Sequence, residues 1–299
     1  MTVARRPNFI IIGAMKSATT TLHRQLEALP GIFMSEPKEP NFFSNDEIYA
    51  QGVAWYDALF ADADEHDLCG ESSTHYTKLP TYPHAVERMH AHVPDAKLIY
   101  IMRHPVDRLI SQYIHEWTQR NISVSIDQAI DQHRELVDYS LYAMQLAPFF
   151  EAYGQDRVLP VFFDRLRAHP QDELQRVCSF VGYDKSVRWS DEDNRANVSS
   201  ERLRNSPVRD AVLNFPGMTT LRRTLVPRGW RDRVKRLWTM NQRPQLSGRQ
   251  LQRVEQVFDD DLGTLGALCG VELTCENFSK VTTEHEVTWH HAPSTVAAS

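Results

Sequence analysis

Residues 10–22, IIIGAMKSATTTL, place Lys16 in a short loop between an apolar run and the start of a helix. Such a loop offers backbone N–H groups that no helical carbonyl satisfies, together with the positive end of the helix dipole. Lys16 adds a full charge, and Ser17, Thr19, Thr20 and Thr21 add hydroxyl donors around Ala18. The chemistry this predicts is the binding of a phosphate-like anion. A capped helix with a snorkelling lysine would carry the same residues. A nucleotide-triphosphate loop fits less well. That pattern ends in Gly-Lys-Ser/Thr, whereas Met15 precedes Lys16 and Gly13 lies three residues before it, so the arrangement that holds magnesium is missing.

The elements that would position this loop are those of an α/β chain. Apolar runs predict strands at 9–12, 68–71, 98–102 and 158–162, and helical patterns fall at 19–28, 83–92, 106–120, 141–153 and 172–181. Strands alternating with helices predict a P-loop-like three-layer fold, a central parallel sheet of about five strands flanked by helices. The junctions at 13–18 and 103–106 then lie at the C-terminal ends of parallel strands, where open α/β sheets bind ligands. From about Trp189 to Gln245 arginines and prolines accumulate, and this stretch reads as loops and short helices over one face, with Trp230 and Trp238 as core or as an acceptor wall. A helical pattern resumes at 246–268. We expect one domain over residues 1–280 and a flexible tail over 281–299.

Bulk properties narrow the function. The 299 residues carry a net charge of −6, which argues against broad nucleic-acid binding while leaving room for a local cationic site. No run approaches the roughly 18 apolar residues of a membrane span. Cys69, Cys178, Cys269 and Cys275 lack metal-ligand spacing and suggest a reducing compartment, by default the cytoplasm. The 13 histidines are dispersed, so no metal is expected. Oligomeric state is not readable.

MKSATTTL resembles the 5′-phosphosulfate-binding loop of sulfotransferases that use 3′-phosphoadenosine 5′-phosphosulfate, with Ala18 where that family commonly has glycine. LIYIMRHPVDRLISQYIHEW, residues 98–117, resembles the family's 3′-phosphate site, in which a strand-end arginine and a serine on the next helix hold the phosphate. The resemblance assigns those roles to Arg103 and Ser111, and the types suit them: arginine offers a bidentate fork, serine one directed donor. Without the resemblance, Arg103 could pair with Asp107 and Ser111 could be an ordinary helix residue. NRANVSSERLR, residues 194–204, is similar to the late loop that closes over the nucleotide, which adds Arg195, Ser199 and Arg202. The donor implied is 3′-phosphoadenosine 5′-phosphosulfate, without metal.

SEPKEPNFFS, residues 35–44, resembles the Lys-Glu-x-x-Phe-Phe segment of heparan-type carbohydrate sulfotransferases, whose glutamate is the base; this maps to Glu39, beside Lys38. Asn41 stands where that branch often has histidine. His75, in GESSTHY, is the other candidate base, by similarity to the cytosolic branch, and Ser72 replaces a lysine of the heparan-type pattern. Lys16 would neutralise the leaving group. The expected activity is sulfuryl transfer to a hydroxyl of a small-molecule or glycan acceptor, with a carbohydrate or glycolipid favoured. The alternatives are a P-loop kinase or hydrolase, and a nucleotide-binding protein without activity.

Overall fold

The structure, a computed structural model, describes residues 5–191 and 243–290. Five strands, β1 (Phe9–Gly13), β2 (Ile32–Met34), β3 (Leu68–Ser72), β4 (Lys97–Met102) and β5 (Val158–Phe162), form one sheet in the order β2-β3-β1-β4-β5, and every pairing is parallel. The expected α/β sheet is therefore present. β2 was absent from the sequence reading because three residues between Gly31 and Ser35 are too few to show a period.

Ten helices lie within the first described segment: α1 (Thr19–Glu27), α2 (Asp46–Tyr49), α3 (Val53–Ala58), α4 (Ala85–His92), α5 (Pro105–Gln119), α6 (Ile126–Gln132), α7 (Glu135–Asp138), α8 (Tyr142–Tyr153), α9 (Phe163–Ala168) and α10 (Pro170–Val181). The second segment adds α11 (Gly248–Cys269) and α12 (Phe278–Glu284). Among the described residues, no helix is long and apolar enough to cross a membrane.

A continuous apolar strand serves both faces of the sheet. Phe9 and Ile11 of β1 join Leu22 and Leu26 of α1 and Leu174 and Val177 of α10 in one core. Ile10 and Ile12 face the other core, with α4, α5, α8 and α11. The helices that follow β1 and β4 thus leave on opposite faces, and a crevice opens at the ends of these adjacent strands. On α11, Val254, Phe258, Leu262, Leu265 and Cys269 repeat at helical spacing and are buried. Asp261 of the same helix accepts the backbone N–H groups of Ala143 (2.9 Å) and Met144 (3.0 Å), supplying a cap that Leu141 cannot give α8.

The expectation of a tail from residue 281 fails as far as His290. α12 runs to Glu284, Val287 and Trp289 are buried in the larger core, and the Trp289 indole N–H donates to the Val158 carbonyl at 2.5 Å. A polar composition concealed two apolar anchors, one of which brings its own hydrogen bond. Residues 291–299 lie outside the described residues.

Candidate active site

Gly13 ends β1 at φ +154°, and a Cβ there would come within 2.0 Å of the Thr77 hydroxyl, which itself donates to the Ile12 carbonyl at 2.8 Å. Only glycine allows the turn after β3 to close against the end of β1. The loop then turns through left-handed Lys16 (φ 70°) and Ala18 (φ 68°), and the Ala14 N–H ties it to the Ile101 carbonyl of β4 at 2.9 Å. Ala18 precedes α1 and offers no side-chain acceptor, so its first N–H groups are left for a ligand. A left-handed alanine costs about 1 kcal/mol where glycine would cost little.

Arg103 leaves the end of β4. Its Nη1 donates to the Lys16 carbonyl at 3.1 Å, its guanidinium lies 4.7 Å from the centre of the Phe163 ring, and its Nε is buried without a partner. Tyr142 fixes the backbone there, accepting from the Arg103 N–H at 3.2 Å and donating to the Arg103 carbonyl at 2.5 Å. Asp107 is engaged elsewhere, by Arg243 at 2.5 Å, which leaves the Arg103 guanidinium aimed at the loop. Ser111 lies two turns into α5.

Glu39 arrives from the other side. Its backbone adopts φ 60° and its N–H donates to the Ser72 carbonyl at 3.0 Å. Lys38 Nζ lies 2.8 Å from one carboxylate oxygen, and the Thr74 hydroxyl donates to the other at 3.3 Å. Burial would raise this carboxyl, but Lys38, Lys78 and His75 together outweigh burial and hold it below the ordinary carboxylate range. Glu39 is therefore ionised at neutral pH. His75 is neutral there, since burial, reinforced by Lys78 and opposed by Glu39, pushes its pKa down to about 4.

Ser72 is fully buried, and its hydroxyl meets His23 Nδ1 at 2.8 Å. The position of the missing lysine is thus sealed inside the protein. The charge comes instead from Lys78, on the cleft wall past the 3₁₀ turn Thr74–Thr77, with burial lowering its pKa to about 8 against the pull of Glu39 and Glu116. Asn41 is not among the residues lining the cleft: its backbone N–H donates to Ser73 Oγ at 3.1 Å, its backbone carbonyl accepts from Ser44, and its side-chain Oδ1 is buried without a partner.

One cleft of about 970 Å³ collects Lys16, Ala18, Thr19, Thr20 and Thr21. Glu39, His75, Arg103 and Ser111 line it as well. Ser17 does not. It is fully buried, its N–H turns back to the Ala14 carbonyl at 3.2 Å, and its hydroxyl has no partner. Arg195, Ser199 and Arg202, like Trp230 and Trp238, lie outside the described residues. Sequence reasoning did not assign Phe163, Glu116, Arg167 or Arg243 to the cleft: Glu116 lies in the 98–117 stretch but beyond the positions to which the resemblance gives a role, and only the tertiary fold brings the other three to the same wall. Among the described residues, no group of His, Cys, Asp and Glu is arranged to hold a metal ion.

Known proteins resemble this chain in sequence and in fold. A family model described as the sulfotransferase family matches residues 54–187. Mouse heparan sulfate glucosamine 3-O-sulfotransferase 3A1 is 32% identical over 190 residues, covering 60% of this chain and 47% of that protein. The human 3-O-sulfotransferase 6 is 29% identical over 191 residues, covering 61% of this chain and 54% of that protein. The chain therefore spans about half the length of these relatives. A sulfotransferase from Alicyclobacillus acidocaldarius superposes with a TM-score of 0.64 over 90% of this chain and 98% of that one, at 22% identity, which shows a shared fold. Residues 54–187 are thus similar to the sulfotransferase family, and the fold is shared with a sulfotransferase.

Proposed function

We propose that the protein transfers a sulfuryl group from 3′-phosphoadenosine 5′-phosphosulfate to a hydroxyl of a carbohydrate or glycolipid, with Glu39 as the base. The observation that carries this reading is the sharing of one cleft by an anion cradle, Lys16 with the start of α1 and Arg103, and an ionised carboxylate, Glu39. The names of the relatives, which specify a glucosamine of heparan sulfate, support the carbohydrate class.

The residues present fit the donor. The uncapped start of α1 and the unpartnered Arg103 Nε are polar groups that a bound anion would satisfy or order. When bound, the donor supplies an activated sulfuryl group on a phosphate leaving group. Lys16 and the N–H groups of Thr19 and Thr20 offset the charge that gathers on that phosphate. Arg103 and Ser111 hold the 3′-phosphate. Glu39 accepts the proton of the attacking hydroxyl; Lys38 keeps it ionised and Thr74 orients it. Lys78 adds positive charge beside the carboxylate, where charge builds during transfer. Four buried, unbridged cysteines fit a reducing compartment, the cytoplasm.

Calorimetry with adenosine 3′,5′-bisphosphate tests the donor site, with ATP as the comparison ligand and no magnesium. Selective binding that Lys16→Ala and Arg103→Ala each weaken about tenfold or more is expected. Preference for ATP, or binding that depends on magnesium, would return the loop to the nucleotide-triphosphate class.

A further inference from the structure

His75 is out of place as a base. A histidine that works as one is normally oriented through its second nitrogen by a hydrogen-bonding partner. Neither ring nitrogen of His75 pairs with a described side chain. The imidazole instead lies on the Tyr82 ring, with centroids 4.9 Å apart and planes within 13° of parallel.

The stack is also rigidly placed. His75 belongs to the 3₁₀ turn Thr74–Thr77, which is pinned at both ends: Thr74 donates to Glu39 at 3.3 Å and Thr77 to the Ile12 carbonyl at 2.8 Å. Tyr76 between them is fully buried. One short turn therefore fixes a flat, uncharged ring on the cleft wall and, one residue earlier, a hydrogen bond to the carboxylate. A surface that is flat, neutral and preorganised suits a flat-faced partner, because little ordering entropy is lost on contact.

We propose that the His75 ring, backed by Tyr82, is the acceptor subsite, against which a ring bearing the reacting hydroxyl lies face-on, with Glu39 at its edge to take the proton. The ligand class is a cyclic alcohol with an apolar face, either a pyranose or a phenol. An open-chain alcohol has no such face. The inference rests on the sulfuryl-transfer reading and adds to it the shape of the acceptor; it also leaves Glu39 as the base and removes His75 from that role.

Binding of an alkyl glucoside, a naphthol and an open-chain alcohol to the complex with adenosine 3′,5′-bisphosphate, measured by ligand-observed NMR, tests it without requiring turnover. For at least one ring compound, His75→Ala should weaken binding about tenfold while His75→Phe retains it within about threefold. The open-chain alcohol should bind equally to all three proteins, and the preferred ring compound distinguishes sugar from phenol. Where a ring compound is sulfated, His75→Phe should keep kcat within about threefold. Equal affinity of both ring compounds for wild type and His75→Ala would overturn the subsite, as would loss of kcat in His75→Phe with acceptor affinity intact. If adenosine 3′,5′-bisphosphate binds normally in those cases, the subsite alone falls. If it does not bind wild type, the sulfuryl-transfer reading falls and takes the subsite with it.

Discussion

Lys16 and Arg103 stand on backbone that leaves the adjacent strands β1 and β4, whereas Glu39, His75 and Lys78 reach the same cleft from two segments tied to β3. The first group works through backbone geometry. Its loop turns through two left-handed residues, exposes the start of α1, and is stitched to β4 by the Ala14 and Arg103 hydrogen bonds. The second group works through mutual electrostatics. Lys38 and Lys78 hold Glu39 ionised, and burial together with Lys78 holds His75 neutral. A site for a fixed anion can be made by a strand end and a helix start. A site for proton transfer needs several titratable groups brought together from distant segments.

The contrast predicts separable losses. The largest expected effect is that of Glu39→Gln, which should lower kcat about 10³-fold while leaving the affinity for adenosine 3′,5′-bisphosphate unchanged. Parallel kinetics and calorimetry check this, and a matching loss of nucleotide affinity would show that the two halves are one unit.

Lys78 gives the next effect. Its charge is present below its depressed pKa and lost as pH rises through about 8, so the rate should fall across that range. Lys78→Arg, charged throughout, should flatten the fall, and Lys78→Met should lower the rate at neutral pH about tenfold. A pH–rate profile of the three proteins is the measurement; an unchanged alkaline limb in Lys78→Arg would assign that limb to another group.

The smallest effect belongs to the first group. Ala18→Gly should relieve left-handed strain at the cost of some unfolded-state entropy, for a net gain below about 1 kcal/mol and a slightly higher Tm. A thermal melt checks it, and a lower Tm would mean that the alanine methyl packs more favourably than its backbone strains. The methyl does touch the smaller core, where Ala18 is half-buried.

The legible parts of the molecule were those whose signal is local. Four buried strands announced themselves as apolar runs, Lys16 and Arg103 could be placed because each follows the end of such a run, and Ser111 was marked by resemblance. β2 was too short for a pattern. Trp289 was hidden in polar company, although its indole reaches the Val158 carbonyl across 131 positions of sequence.

Asn41 and Ser72, where histidine and lysine were expected by resemblance, could be read only as losses. The fold keeps Asn41 off the cleft wall, buries Ser72 against His23, and brings Lys78 to the cleft from six residues further on. What the sequence alone determined is the sheet and the two strand-to-helix junctions at one of its edges, since these follow from hydrophobic periodicity, whereas Glu39 was marked only by resemblance. That Lys78 joins the neighbouring Lys38 beside Glu39, and that His75 is neutral, were decided by tertiary structure. Burial and through-space charge set both, and neither is encoded in neighbouring residues.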